Sequence, residues 1–491
     1  MTSSQDDDQA PASLHTLIAA MAVAAGALAD RRTQAELAAA SDGDLLRLSD
    51  ALYGLLSHLD DSVSNPGLDA LTGTGDGPIA AAAARMATAY GARSAAISAG
   101  GSSAANLGLG AALAPGAVLM DRGAHLSLYG AVGYARLGVC YLARDFDRAA
   151  GVQLPVTPGE VAAGFVRRPD ARAVWITSPT YDGFCADIPA IAQCCRRHGA
   201  RLIVDAAHAA VHGLVRSPEF PASAIAQGAD AAVISLHKKG FGLSQASIVL
   251  FNDPNLAGRY EHFAHLGLQT TSPFHLLVGL ADDRVAWGRT PEAAAAWSAA
   301  AATAELCRDA MAGLPGCRPL RSDRLRPGMA GDPCHVVCNV AGTGLSGYEI
   351  LARLGAEGID IEMATLDTIT VFFGPVNAQA CDGLMAAICR VLARPATMAR
   401  SGLPAPPEFQ PKPVMAPGDA MLGNVAEIDA GAAIGRIAAQ VVGAYPPGQA
   451  IIAPGEIVTL EAIAYLRAVI AVGGKLKGAV DPSLRRLLVV A

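Results

Sequence analysis

Short apolar runs alternate with longer segments of helical spacing from about residue 78 to 252. The runs have the length of strands, whereas the segments between them repeat apolar residues three or four positions apart. Such alternation is typical of a mainly parallel central sheet flanked by helices, so we predict an α/β fold. The predicted strands are residues 94–99, 117–121, 138–143, 173–179, 201–207, 231–237 and 246–251.

The pattern changes after about residue 285. A long alanine-rich helix, two strands (HVVCNV and TITVFFG) and a further helix predict a smaller α+β domain over residues 286–401. A proline-rich connector then leads into a C-terminal segment, so linker and segment together occupy 402–491. The major domain would span 66–285, and residues 1–65 would form an N-terminal helical segment.

Composition and charge limit the classes of partner. Hydrophobic residues make up 52% of the chain and charged residues 16%, which fits large buried interfaces and predicts a homodimer or a higher homo-oligomer. A net charge of -7 without a run of Lys and Arg argues against a nucleic-acid partner. The N-terminus begins acidic and its apolar run is interrupted, which argues against a signal peptide and a membrane span.

Ten cysteines are scattered without a repeating spacing, which favours reduced thiols and a cytoplasmic location. The stretch CHVVC contains Cys334, His335 and Cys338, residue types that can bind a metal. Because a strand points neighbouring residues to opposite faces, these three side chains do not converge easily. We therefore expect no metal site.

The stretch VISLHKKGFGLSQASIVLF ends an apolar run with a serine, a histidine and two lysines. A lysine in a largely apolar site loses its charge more easily than one in water, and a neutral amine can form a Schiff base with a carbonyl. Ser235 and His237 beside Lys238 could donate hydrogen bonds to a phosphate. The alternative for Lys238 is a solvated strand end.

Other parts of a pyridoxal phosphate site lie upstream in a consistent order. The stretch SAGGSSAANLGLG is a glycine turn with two hydroxyls, Ser102 and Ser103, that leads into a predicted helix. Free N–H groups and the positive end of a helix dipole suit a phosphate. An ordinary strand-to-helix loop with an N-cap is the alternative for this turn.

Three more residues suit the ring of such a cofactor. Asp205 ends the run LIVD, where a carboxylate is costly unless it meets a cation such as a protonated pyridine nitrogen. A helix N-cap is the alternative for Asp205. His125 in DRGAHLSLYGA could stack on the ring or be an ordinary hydrogen-bonded loop histidine. Ala207 is small enough to pack beneath a flat ring.

Together these stretches resemble the ornithine/lysine/arginine decarboxylases, a branch of the fold-type-I pyridoxal phosphate enzymes. The matching stretches run in family order from about residue 68 to 460. They are GLDALTGTGDGPIAAAAARMATAYGA, GSSAAN, DRGAHLSLYGA, SPTYDGFCADIPAI, LIVDAAHAAVHG, SLHKKGFGLSQAS and IGRIAAQVVGAYPPGQAIIAPGEIV. The Ser-x-His-Lys stretch and the YPPG…PGE segment are specific, whereas the glycine turn is not.

The resemblance implies that Lys238 forms the internal aldimine with pyridoxal 5'-phosphate. It also implies that Asp205 pairs with the pyridine nitrogen and that His125 stacks on the ring. Lys239 would point away, because a strand that alternates sides does not aim both lysines at one carbonyl. The implied phosphate ligands are Ser102, Ser103, Ser235 and His237.

The implied activity is decarboxylation of a basic amino acid, with arginine or lysine favoured over ornithine. A cationic side chain needs an acidic contact, for which Glu362 in GIDIEMATLDT matches the family position; a solvated strand edge is its alternative. Asp182 and His208 are further candidates for substrate binding. Because fold-type-I enzymes share these residues, transamination or side-chain cleavage is the alternative reaction, and a non-catalytic relative is the alternative class.

Three departures from the family pattern bear on the substrate and the architecture. The usual PGH stretch before the major domain is not reproduced, and Met363 replaces the lysine that usually follows the glutamate. The sequence before residue 65 is shorter than in the large inducible enzymes. The resemblance is therefore to the short form without an N-terminal wing domain, which implies a homodimer with active sites at the subunit interface.

Overall fold

The computed structural model describes residues 78–240, 242–264, 275–321, 325–377, 380–394, 407–445 and 448–491. All of these residues belong to one compact unit, Pro66–Ala491. The predicted N-terminal helical segment, residues 1–65, lies outside the described residues. The predicted domain boundaries at residues 285 and 401 stay predictions.

The major domain is built on a seven-stranded sheet in the order β1-β10-β9-β8-β6-β2-β3. The strands up to residue 251, in chain order, are β1 (Ser94–Ser98), β2 (Ala117–Asp121), β3 (Gly138–Leu142), β4 (Phe146–Asp147), β5 (Val152–Gln153), β6 (Ala173–Thr177), β7 (Phe184–Cys185), β8 (Arg201–Asp205), β9 (Ala231–Ser235) and β10 (Ser247–Phe251). Strand β10 is antiparallel to both of its neighbours, and the other four pairs are parallel. The mainly parallel sheet and all seven predicted strands are confirmed.

Apolar side chains cover both faces of this sheet. Adjacent residues alternate between two clusters, so that Val174 packs on one face and Trp175 on the other, both without solvent exposure. A strand that is buried on both sides reads as a continuous apolar run, which is why the runs were visible in the sequence. The helices of this domain are Pro78–Tyr90, Gly101–Leu113, Leu126–Tyr134, Pro158–Arg167, Ile188–Arg197, Leu236–Lys239, Pro254–Phe263 and His275–Gly288.

The next part of the chain forms the predicted α+β domain, with an antiparallel sheet in the order β11-β13-β15-β14. Its strands are β11 (Arg318–Pro319), β12 (Ala330–Gly331), β13 (His335–Asn339), β14 (Met363–Ala364) and β15 (Thr368–Phe372), and its helices are Pro291–Ala312, Ala341–Thr343 (3-10), Gly347–Ala356 and Cys381–Leu392. Strand β12 pairs with β7 of the major domain. The two domains therefore share a short sheet beside the carboxyl end of β6.

The C-terminal segment contains two further antiparallel groups, β16 with β20 and β18-β17-β19. Its elements are helix Pro417–Leu422, β16 (Val425–Asp429), β17 (Val442–Tyr445), β18 (Gln449–Ile452), helix Leu460–Ala471, β19 (Lys475–Lys477) and β20 (Arg486–Val490). Among the described residues, no helix combines the length and the apolar character that crossing a bilayer requires.

A buried ion pair joins this C-terminal segment to the central sheet. Arg122, directly after β2, is 1% exposed and holds both carboxylate oxygens of Glu456 at 2.6 and 2.8 Å. Its remaining N–H groups donate to the carbonyl oxygens of Ala450 and Ile451. The guanidinium also lies 4.8 Å from the ring centroid of Tyr141. The glutamate of the specific PGE motif thus has a structural partner.

Replacing Glu456 by alanine should lower the free energy of unfolding by about 3–5 kcal/mol, because it leaves the Arg122 guanidinium buried without its counter-ion. The control is Asp419→Asn, which breaks the exposed pair with Arg136 and should cost less than about 1 kcal/mol. Urea denaturation followed by circular dichroism measures both. Equal costs for the two variants would contradict a structural role for the buried pair.

Candidate active site

A cavity of about 340 Å³ gathers residues that follow the carboxyl ends of β2, β6, β8 and β9. This is the edge at which open α/β sheets bind ligands. The lining residues are Gly100, Gly101, Ser102, Ser103, His125, Thr177, Tyr181, Asp205, Ala207, His208, His237, Lys238, Ser244 and Gln245. Eight of the eleven residues predicted for the site therefore meet in one place.

The two adjacent lysines diverge at the end of β9. Lys238 Nζ lies 3.1 Å from His208 Nε2 inside the cavity, whereas Lys239 Nζ lies 2.7 Å from Asp332 Oδ2. The expectation that Lys239 points away is confirmed, but its reason was wrong. The predicted strand 231–237 ends at Ser235, and a helical turn, Leu236–Lys239, rotates successive side chains by about 100°.

Burial controls the charge of Lys238. It lowers the pKa of the ammonium, while the nearby carboxylates of Asp205 and Glu362 raise it again. Burial also holds the pKa of His208 well below its usual range, and the charge of Lys238 adds to that effect. A neutral His208 can accept a hydrogen bond from the Lys238 ammonium through Nε2. The pair therefore places an ammonium group of lowered pKa beside a neutral imidazole.

One end of the cavity suits an anion. Helix Gly101–Leu113 begins after Gly100, and no side chain caps its first N–H groups. The Ser102 and Ser235 hydroxyls lie 2.8 Å apart, with Ser235 fully buried behind the lining. His237 donates from Nδ1 to the Ala246 carbonyl at 3.1 Å, which leaves Nε2 for a ligand. The turn joins a strand to a helix, as the alternative has it, but its N-cap residue Gly100 offers no side-chain cap, and phosphate binding stays a prediction.

Asp205 is a buried carboxylate with few protein donors. It is 3% exposed and accepts from the Ala207 amide at 3.2 Å and from Asn106 Nδ2 at 3.4 Å. Burial raises its pKa, and the charge of Lys238 acts against that rise. No helix begins after Asp205 before β9, so the alternative role as an N-cap is wrong. The carboxylate faces a cavity in which a further cation would stabilise its charge.

Asn106 connects Asp205 with His125, the two residues predicted to contact the cofactor ring. Asn106 itself was not predicted from the sequence. Its Nδ2 also lies 3.0 Å from Ser127 Oγ, which in turn lies 2.9 Å from His125 Nδ1. Asn106 stands four positions after Ser102, so both occupy one helix face, and this spacing was the available signal. Its Oδ1 is buried without a hydrogen-bond partner among the described residues.

His125 has two roles. It caps helix Leu126–Tyr134, because its Nδ1 accepts from the Ser127 amide at 3.2 Å, and it also lines the cavity. Burial lowers its pKa to about 4, helped by the charges of Lys477 and Lys238. The ring is therefore neutral near pH 7. The loop hydrogen bond considered for this histidine is present, and its stacking on a cofactor ring stays a prediction.

Six lining residues were not predicted as site residues: Gly100, Gly101, Thr177, Tyr181, Ser244 and Gln245. The Tyr181 ring meets His208 edge-on, with 5.0 Å between ring centroids. Thr177 Oγ1 is buried without a partner among the described residues. Gln245 adopts a left-handed backbone with φ of 75°, which is uncommon outside glycine and holds its loop against the cavity.

Two predicted substrate contacts lie outside the cavity lining. Asp182 is buried and lines a neighbouring cavity instead. Glu362 is exposed beside β14, although its charge acts on both Lys238 and Tyr181. Their roles in substrate binding stay predictions. His335, from the stretch with metal-ligand residue types, instead lies 3.0 Å from Lys239 Nζ.

Comparison with known proteins gives the family. A family model described as "Orn/Lys/Arg decarboxylase, major domain" matches residues 56–324, and one described as "Orn/Lys/Arg decarboxylase, C-terminal domain" matches residues 396–479. The chain is 29% identical over 384 residues to an arginine decarboxylase of Bacillus anthracis, with 76% of each chain covered. It is 28% identical to an arginine decarboxylase of Bacillus subtilis, covering 76% of this chain and 77% of that one.

Solved structures agree at the level of the fold. The E. coli constitutive lysine decarboxylase superposes with a TM-score of 0.69 and 18% identity, over 88% of this chain and 74% of that one. Lysine decarboxylase A from Pseudomonas aeruginosa gives a TM-score of 0.70 with the same identity and coverage. The chain thus belongs to the Orn/Lys/Arg decarboxylase family and is an amino-acid decarboxylase.

Proposed function

We propose that this enzyme decarboxylates a basic amino acid, arginine or lysine before ornithine, to the corresponding amine and CO2 with pyridoxal 5'-phosphate as cofactor. One observation carries the proposal. A lysine that lines the cavity, a buried carboxylate and an uncapped helix N-terminus surround one space. These are the three groups that this cofactor needs: an amine for its aldehyde, an anion for its pyridinium and donors for its phosphate.

The unpaired polar atoms of the cavity support the fit. Asp205 is short of donors, so a pyridinium N–H would stabilise the carboxylate that burial otherwise disfavours. The first N–H groups of helix Gly101–Leu113, together with the hydroxyls of Ser102 and Ser103, would receive the phosphate. Ser235 would hold the Ser102 hydroxyl in place, and Nε2 of His237 would reach the phosphate from the lysine turn.

When bound, pyridoxal phosphate supplies an electron sink for the bond that loses CO2. Asp205, when ionised, would stabilise a proton on the ring nitrogen of the bound cofactor. Lys238 must lose a proton before its amine can attack a carbonyl, and the lowered pKa of its ammonium makes that loss easier. His208 Nε2, 3.1 Å away, would orient the Lys238 amine through a hydrogen bond. His125 and Ala207 would pack against the ring, and the neutral imidazole adds no charge there.

The choice of a basic substrate rests on family and charge. The relatives matched by sequence are named arginine decarboxylases, which favours arginine. Glu362 would supply the acidic contact for a cationic side chain, since its charge already acts on Lys238. His208 lines the same cavity as Lys238 and stays a candidate for substrate binding. The proposal includes a homodimer in the cytoplasm, as the apolar composition and the family resemblance indicate.

Replacing Lys238 by alanine should abolish CO2 release and covalent attachment of the cofactor. Borohydride reduction followed by mass spectrometry should place the cofactor on Lys238 in the wild type and nowhere in the variant. Lys475→Ala, which removes an exposed lysine, is the control and should keep both properties. A cofactor found on another lysine would contradict the assignment, and release of keto acid instead of CO2 would contradict decarboxylation.

Replacing Glu362 by glutamine should raise KM for arginine and lysine about fivefold with kcat little changed, since a partly exposed ion pair is worth about 1 kcal/mol. Steady-state CO2 release across a panel of amino acids measures this effect and identifies the preferred substrate. Asp360→Asn removes an exposed carboxylate two positions away and is the matched control. A fall in kcat at constant KM would argue against a side-chain contact.

A further inference from the structure

A second cavity of about 630 Å³ lies between the loop after β6 and the α+β domain. It is large enough for a small organic ligand. It is lined by Asp182, Gly183, Phe184, Glu219, Glu305, Arg308, Leu320, Arg321, Leu325, Ala330, Gly331, Asp332, Pro333, His335 and Val337. None of these residues lines the catalytic cavity.

Most charges on this lining are already paired. Arg308 Nη1 donates to Glu305 at 2.7 Å, and Arg321 pairs with Glu305 and with Asp309. Asp332 is held by Lys239 at 2.7 Å. The first set of ion pairs (Arg308 and Arg321 with Glu305 and Asp309) has no net charge. The second set (Asp332 with Lys239) has none either. The carboxylates that remain on the lining are those of Asp182 and Glu219.

Asp182 is the unpaired group at the inner end. Its side chain is 5% exposed, and its Oδ1 has no hydrogen-bond partner among the described residues. The Thr370 hydroxyl is the nearby side-chain donor, and it lowers the pKa of Asp182. The guanidinium of Arg144 acts on Asp182 from a distance but is itself paired with both oxygens of Asp121. A buried carboxylate with so few donors is costly, and a cation in the cavity would offset that cost.

Glu219 supplies a second negative charge. It is exposed, and it accepts a hydrogen bond from Ser217 at 3.0 Å. The cavity thus presents one buried and one solvated carboxylate without a cationic partner among the described residues. Two such charges favour a ligand with two cationic ends and disfavour a ligand that carries its own carboxylate.

We propose that this cavity binds a short organic dication, an alkyl diamine or an aminoalkyl guanidine, with one cationic group on Asp182 and the other towards Glu219. The amine released when a basic amino acid is decarboxylated is a molecule of this class. The identification of the ligand with that product rests on the proposed function, whereas the binding of a dication does not. The substrate itself keeps its carboxylate and is disfavoured. The cavity therefore separates the decarboxylated compound from its precursor by charge alone.

The cavity also touches the elements that hold the catalytic lysine. Asp182 follows Tyr181, whose ring packs on His208 in the catalytic cavity. Asp332 forms part of the lining and anchors Lys239, the neighbour of Lys238. An occupant of the second cavity would thus contact the loop that carries Tyr181 and the loop that anchors Lys239, without entering the catalytic cavity.

Proton competition makes binding depend on pH. Burial raises the pKa of Asp182 to about 7, against the effects of Arg144 and Thr370, and a cation binds the ionised form. Affinity should therefore rise about tenfold from pH 6 to pH 8, as the ionised fraction grows. The pKa of Asp332 is held well below its usual range by Lys239 and His335 despite burial, so Asp332 stays ionised. The other charged or titratable groups on this lining are Glu219, Glu305, Arg308, Arg321 and His335.

Calorimetric titration of the holoenzyme with 1,5-diaminopentane tests the proposal. The matched probe is 6-aminohexanoate, in which a carboxylate replaces one ammonium on a spacer of the same length. The diamine should bind at least tenfold more tightly than 6-aminohexanoate at pH 8. Asp182→Asn should weaken diamine binding at least tenfold and remove its pH dependence, and Glu219→Gln should weaken it by a smaller factor.

The control is Asp419→Asn, which removes an exposed carboxylate outside this cavity and should leave the diamine affinity unchanged. Thermal unfolding establishes that each variant is folded. Equal affinity for both probes, or an unchanged affinity in Asp182→Asn, would overturn the inference. Diamine binding without CO2 release from any amino acid would instead overturn the proposed function and leave this site standing.

Discussion

Two consecutive ammonium groups at the end of a buried strand are the constraint on which the site depends. The charge of each ammonium has to be stabilised by different neighbours. The helical turn Leu236–Lys239 makes this possible because it points the two side chains in different directions. Lys239 enters a buried network in which Asp332 also holds His212 at 2.8 Å. Because Asp332 belongs to the α+β domain, this network ties that domain to the turn. Lys238 is left beside a neutral histidine, and burial lowers the pKa of its ammonium.

The remaining site follows from the carboxyl ends of parallel strands. Strands β2, β6, β8 and β9 end at one edge, so residues separated by more than a hundred positions become neighbours there. The neutral His125 and His208 keep the positive charge of this region confined to the lysines. Asp205 supplies the opposing carboxylate. The cavity therefore combines the amine of Lys238 with the carboxylate of Asp205. This arrangement of charges would suit a cofactor with a pyridinium ring.

The sequence predicted what depends on local pattern and missed what depends on contacts across elements. Strands buried on both faces appear as apolar runs, and residues at their ends could be assigned to one edge. Asn106 and Tyr181 were not predicted, because they contribute through a hydrogen bond and a ring contact with segments distant in the sequence. Asp182 was a further candidate for substrate binding, which stays a prediction, and its place on the lining of the neighbouring cavity was not foreseen. Such a placement depends on backbone geometry that no local pattern specifies.

The specific C-terminal motif shows that a family signature can be structural. Glu456 anchors the segment through Arg122, at the carboxyl end of β2 and three residues before His125. In the same segment, Lys477 of β19 packs on the Tyr445 ring and lowers the pKa of both His125 and Lys238. The buried ion pair thus anchors the segment whose Lys477 acts on the charge of Lys238. This link gives the motif a physical reason to accompany the lysine turn, although its glutamate is absent from the cavity lining.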